Sequence, residues 1–308
     1  MVDNSIPQMG TTIQGIPTGS QPAPAGNPLA KHLRQPKIYL RLPSGGAYWP
    51  AGSLEQTDNG EYPVYAMTAK DEITFKTPDA LLNGQATVDV IQNCIPNIKD
   101  AWKTPSIDLD AILIAIRMAS FGQSLDMTTK VPNTDLERDF TMNLQQMYDN
   151  ILNIEYQDKF QIDGFTIQIK PLSYRSMTAQ MVKAFEQQRI FSIVNDNTIN
   201  DVEKMDKFQE SFSKLTDLNI SVVIESIVAI QPDGEDSVTN PVHLEEFIKN
   251  VEAKVYNQIT DHITKQREKF QQPPITVEAT KEEIDAGAPK TFDIPVTFDQ
   301  SNFFGSGS

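Results

Sequence analysis

Apolar residues are sparse over the first 36 positions and then fall into blocks of two different periods. Residues 1–36 are rich in Pro, Gly, Gln, Thr and Ser and show no apolar period, so burial cannot repay the entropy of ordering them. A disordered tail is expected, either without a role or ordering on a partner. Pro22, Pro24, Pro28 and Pro36 exclude a continuous helix there. From Lys37 the pattern turns to β: Ile38-Tyr39-Leu40-Arg41-Leu42 predicts a strand stopped by Pro43-Ser44-Gly45-Gly46, and Tyr62 to Met67 predicts its partner after the turn Asp58-Asn59-Gly60. Tyr48 and Trp49 lie in the loop between them.

Two helices are expected next. Thr77-Pro78-Asp79 opens the first, with Thr77 as N-cap, Pro78 at the first helical position and Asp79 in the electropositive first turn, and it continues to about Asn93. The second runs from near Ser106 to Phe121-Gly122 and is apolar on most of its faces, which suits the centre of a core. Residues 124–170 alternate polar and apolar in short runs, including Phe140 to Leu144 and Phe165 to Ile169 after the turn Asp163-Gly164, and predict an antiparallel sheet with one wet face.

Beyond Pro171-Leu172-Ser173 the period becomes helical, and three long helices are expected at about 173–192, 200–230 and 241–271. Met205, Phe208, Phe212 and Leu215 form one packing stripe; Leu244, Phe247, Ile248, Val251, Val255, Ile259 and Ile263 form another. Both are read as intramolecular core, and Gln231-Pro232-Asp233-Gly234 as the turn of an antiparallel helical pair. Ile275 to Ala279 and Phe292 to Phe298 return to β character. The expected fold class is α+β, with antiparallel β segments at about 37–67, 124–170 and 275–298 around a helical block of long helices. Its regions are the tail 1–36, an α+β region 37–172, a helical bundle region 173–271, and a β segment and tail 272–308 packing on the first region. The first and last β segments are candidates to pair across the helical block into one sheet.

Composition narrows the function. The 308 residues hold 41 Asp and Glu against 26 Lys and Arg, a formal net charge of −15. Such a field repels nucleic-acid phosphates and anionic membranes unless basic residues are segregated. The densest basic cluster, Lys265, Arg267 and Lys269, is interleaved with acids, so neither partner is expected. No apolar run is long enough to span a bilayer, and the first residues lack the basic and apolar regions of a signal peptide. The single cysteine, Cys94, permits no intrachain disulfide or thiolate zinc site, and the chain fits a reducing cytosol. The sequon at Asn219 lies in an apolar segment and reads as a chance match.

Candidate chemistry is thin. His32 lies in the tail and His243 and His262 on an amphipathic helix, with no nucleophile beside them in sequence. Asp108 and Asp110, the most tempting carboxylate pair, are explained by the dipole of the helix they open. Cys94 reads as a buried apolar residue, and Ser44-Gly45-Gly46 matches no phosphate-binding fingerprint. The expectation is a non-enzymatic protein without cofactor or metal. A cell-wall hydrolase with convergent carboxylates is the remote alternative.

Several stretches in order carry a resemblance: Glu72 to Gly84 (EITFKTPDALLNG), Cys94-Ile95-Pro96-Asn97-Ile98, Asp108 to Gly122, Pro232-Asp233-Gly234, Glu246 to Asn250, and Phe298 to Gly305. Together they resemble the baseplate hub proteins of T-even-type contractile-tailed phages, a family described both as hub subunits and as hub-assembly chaperones. The resemblance spans about 37–305 and implies other phage tail proteins as partners, namely baseplate hub components and the tape-measure protein. It further implies host cytoplasm during assembly, or the tail baseplate of the virion, as the location. Family members are expected to carry paired cysteines where this chain has Val131-Pro132-Asn133-Thr134 and again within Ala279 to Lys290, spacings that suit a zinc ribbon. Neither pair is present here, so metal binding is not carried over and the hairpins must be held by packing. Phe303 and Phe304 are the residues singled out for docking, since adjacent aromatics are costly to leave in water; they pack either on a partner or back on the core.

Overall fold

The computed structural model describes residues 34–75, 84–179, 200–271 and 273–294, together with Phe303. The chain divides between Arg34 and Gln35, and every element below belongs to the unit Gln35–Ser308. Ile38 and Leu40 turn inward while Lys37 and Tyr39 face water, as strand alternation requires, and β1 (Pro36–Leu40) pairs antiparallel with β2 (Tyr62–Tyr65). After α1 (Ala69–Phe75) and α2 (Gln85–Cys94), the apolar run from Ile107 forms α3 (Ser106–Phe121). This helix buries residues on every face and lies at the centre of the large core, sheathed by α2 and the β1–β2 hairpin. It stops at Gly122, whose φ of 93° is one that glycine adopts without strain and whose N–H donates to Met118 O at 3.0 Å.

Residues 124–170 are less uniform than the alternation suggested. β3 (Ser124–Lys130) and β4 (Glu137–Asn143) form a hairpin, but the chain then turns into α4 (Leu144–Leu152). Leu144, Met147, Tyr148 and Ile151 recur at helical spacing and are buried against α3, which decides the matter in favour of helix. Tyr148 also clasps the end of β1: its hydroxyl accepts from Arg41 N at 2.7 Å and donates to Arg41 O at 2.9 Å.

β5 (Lys159–Ile162) and β6 (Phe165–Ile169) are joined by Asp163-Gly164, both at positive φ, the two-residue turn that suits strand twist. The other edge of β6 takes β7 (Ile227–Pro232), which corrects the helix expected over 200–230: α5 (Asp201–Ser226) ends four residues early. The physical reason is the β-branched run Ile227, Val228 and Ile230, which satisfies the open edge of β6 and buries Ile227 and Ile230. Asp233-Gly234 therefore follows a strand and does not join two helices. The helix expected over 241–271 is two, α6 (Pro241–Asn250) and α7 (Ala253–Lys269), broken where Val251 becomes extended at ψ 155°. Its stripe does face inward: Leu244, Ile248, Val255 and Ile259 are buried with Ile167, Ile169, Val223, Ile227 and Ile230 in a second core.

β8 (Ile275–Glu278) and β9 (Thr291–Ile294) pair with each other, and among the described residues they do not join the first β segment in one sheet. Between them α8 (Lys281–Asp285) is held by a reciprocal cap of Thr280 and Glu283. This hairpin packs on the β3–β4 turn through a small apolar cluster of Val131, Ala288, Phe292 and Ile294. Arg138 adds a hydrogen bond to Glu278 O at 2.9 Å. The fold is α+β, its strands in four small antiparallel sheets among the described residues. The helix start at Thr77-Pro78-Asp79, the helix beyond residue 179, the strand beyond Ile294, and the side chains of Phe208, Phe212 and Leu215 lie outside the described residues; Met205, of the same stripe, is exposed.

Candidate docking groove

The large core and the second core meet at Tyr156, the residue that packs against both. Beside this seam lies a cavity of about 560 Å³. One wall is a face of α5, Asn219, Val222, Val223 and Ser226, spaced three or four apart as one side of a helix must be. The opposite wall is the matching face of α7: Tyr256, Thr260, Ile263, Thr264 and Arg267. The remaining side is built by Ser106 and Ile107 at the start of α3, the segment Lys170-Pro171-Leu172, and Met177. Backbone bonds fix that side to both cores, Ser106 N to Leu172 O at 2.8 Å and Lys170 N to Ser226 O at 2.7 Å.

Tyr156, Met177, Val222, Tyr256 and Ile263 are half-buried, so apolar surface is left facing water inside the groove. Tyr156 stands edge-on to Tyr48 at 5.4 Å between ring centres. Burial, with smaller contributions from Tyr48 and the Asp158 carboxylate, raises its phenol well above the ordinary range, so it presents a neutral hydroxyl. Among the described residues, Lys170 and Arg267 are the only charged ones lining the groove; both are exposed, and neither forms an ion pair there. Ile107 and Tyr156 also border a second cavity of about 360 Å³ beneath the Pro43–Tyr48 loop.

The residues flagged by sequence fall elsewhere. Phe303 is 3 % exposed and packs in the large core, so a partner reaches it only if it leaves that core; Phe304 lies outside the described residues. Asp108 is fully buried and is an anchor for the aromatic loop. It accepts from Ser44 N at 2.8 Å, from the Ser44 hydroxyl, and from Trp49 Nε1 at 2.8 Å. Burial pushes its pKa up to about 6 against the pull of those donors. Asp110 keeps some surface, yet the protein crowding it drives its pKa up to about 7. The two acids thus have separate surroundings and do not converge on a cleft. Cys94 is buried, His243 is exposed, and His262 stacks on Phe160 at 3.8 Å. Tyr156, Lys170 and Tyr256 were missed by sequence reasoning. The legible signals were Ile263, in the apolar stripe read as core, and Arg267, in the basic cluster of the same helix.

No described helix is long and apolar enough to cross a membrane, and no group of three potential metal ligands occurs among the described residues. The class of protein defined so far is an α+β protein with a partly apolar groove at the seam of two cores. The family model described as T4 bacteriophage base plate protein matches residues 37–284, well over half of the chain, and the chain belongs to that family. No curated protein and no solved structure matches it. Membership in a baseplate family points to a structural or assembly protein, to partners among other phage tail proteins, and fits a location at the tail of the virion.

Proposed function

We propose that this baseplate protein is a non-enzymatic assembly factor of the hub, acting in host cytoplasm by holding a hub or tape-measure protein in a soluble, assembly-competent form. The observation that carries the reading is the groove: a baseplate-family chain leaves half-buried apolar side chains along a cavity of about 560 Å³, which suits capture of apolar surface on a partner. The net charge of −15 supports it, since like-charge repulsion would keep a loaded complex dispersed. The separate surroundings of Asp108 and Asp110 speak against the hydrolase reading, which needs a pair of carboxylates flanking one bond.

A permanent structural subunit of the hub is the second reading, favoured by the same family membership. Quantitative mass spectrometry of purified particles, beside a pull-down from infected-cell lysate, separates the two. A complex with an identified hub or tape-measure protein in lysate, with the chain missing from particles, is expected of an assembly factor. A fixed copy number in particles would replace it with the structural subunit. If no tail protein associates on co-expression, both readings fall.

A further inference from the structure

We infer that the groove at the seam of the two cores receives an apolar segment of a partner protein that carries a carboxylate. The groove is a feature of the fold whatever the protein's role; the expectation that the partner is a tail protein rests on the assembly-factor reading. Two observations select the occupant. The exposed apolar area is arranged along two antagonistic helix faces, α5 and α7, and a cavity of about 560 Å³ falls in the range of about 300–1,000 Å³ typical of ligand pockets, enough for a few anchor side chains of one segment. Charge is the second. In a chain where acids outnumber bases by 41 to 26, the described residues that line the groove include Lys170 and Arg267 and no acid. A local positive field on a negative protein favours a negative guest and disfavours basic ones.

Most of the chain's own segments outside the described residues match this poorly in charge. Residues 1–33 hold one acid, Asp3, against Lys31, and residues 180–199 hold Glu186 and Asp196 against Lys183 and Arg189. Both are balanced, as are residues 76–83 with Lys76 and Asp79; the last stretch carries Asp299 and no base, but its Phe303 is buried in the large core and does not line the groove, which directs the inference to a partner.

The test uses the full chain and fluorescent peptides of about 15 residues with Leu at helical spacing, flanked by two Glu, two Gln or two Lys, read by fluorescence anisotropy. The Glu peptide is expected to bind tightest, by about tenfold over the Gln peptide, and the double variant Lys170→Glu, Arg267→Glu to reverse the order so that the Lys peptide binds best. Asn219→Trp, at an exposed position on the groove wall, is expected to weaken every peptide about tenfold while leaving the melting temperature unchanged. Absence of binding to the unmodified chain, as when one of its own segments fills the groove, would overturn the inference, as would an unchanged order in the charge-reversed variant. Co-expression with tail proteins keeps the two proposals apart. If the charge-reversed variant still co-purifies with a hub or tape-measure protein, the groove inference fails and the assembly reading stands; if the unmodified chain captures none, the reading fails and the peptides still judge the groove.

Discussion

Both cores are rich in branched aliphatic side chains, and they differ in how completely they are closed. In the large core, α3 is covered on all sides, and even a carboxylate, that of Asp108, is drawn in to fasten a loop. In the second core the faces of α5 and α7 close only along part of their length. Of the two valines on the groove wall, Val223 is 2 % exposed while Val222 is only half-buried, and Ile259 is fully buried while Ile263, one turn on, is not. On each helix the buried stripe and the groove face thus lie side by side, core on one flank and docking surface on the other. Spacing reveals that a helix has an apolar face, but only the partner element decides how far along that face the burial runs.

The comparison breaks most visibly in stability. Ile112→Ala, at the centre of α3, is expected to cost about 3 kcal/mol in urea denaturation, because a cavity opens where no neighbour can collapse into it. Ile263→Ala on the groove wall should cost about 1 kcal/mol or less, since its side chain already meets water. Equal losses at the two positions would mean that the groove is closed in solution.

The acids sharpen the contrast within one helix. Three donors converge on Asp108, so Asp108→Asn turns an amide toward at least one of them and should cost about 2 kcal/mol at neutral pH. Asp110 has no hydrogen bond or ion pair among the described residues, and its pKa of about 7 lies above the ordinary 3.8. The folded state therefore holds that proton more tightly than the unfolded one. The stability it contributes is full below about pH 4, falls as pH rises to about 7 and is flat beyond. Asp110→Asn is accordingly expected to stabilise by about 1–2 kcal/mol at pH 8 and by nothing at pH 3.5, a pattern that melts across that pH range would check. A pH-independent effect would show that Asp110 is solvated after all.

The large core was the most legible part of the fold, because α3 is apolar all round and carries its own stop at Gly122. The helix α4 could have been found: Leu144, Met147, Tyr148 and Ile151 carry a helical period, hidden by the alternating residues before them. The switch from α5 to β7 was not legible, since Ile227 to Ile230 continue a helical pattern and only the free edge of β6 makes them a strand. The break at Val251 has no Pro or Gly to announce it. The groove was the least legible feature, for its walls come from five stretches far apart in the chain, and Lys170 and Arg267 become a pair only when the fold places them on one cavity.

The smallest expected effect tests whether the third, four-residue cluster at Val131 is a core in its own right. Arg138 reaches from β4 to Glu278 O at 2.9 Å and to the mostly buried Glu283 at 3.5 Å, joining two hairpins that also meet through a few apolar side chains. Its own side chain is 30 % exposed, so water screens the ion pair and the backbone bond carries most of the effect. Arg138→Ala should therefore lower global stability by less than about 1 kcal/mol while speeding hydrogen exchange in β8 and β9 and leaving β5, β6 and β7 unchanged. If exchange rises equally in all of them, the β8–β9 hairpin opens only with the whole protein, and Val131, Phe292 and Ile294 are an extension of the large core through Phe140, the residue that touches both clusters.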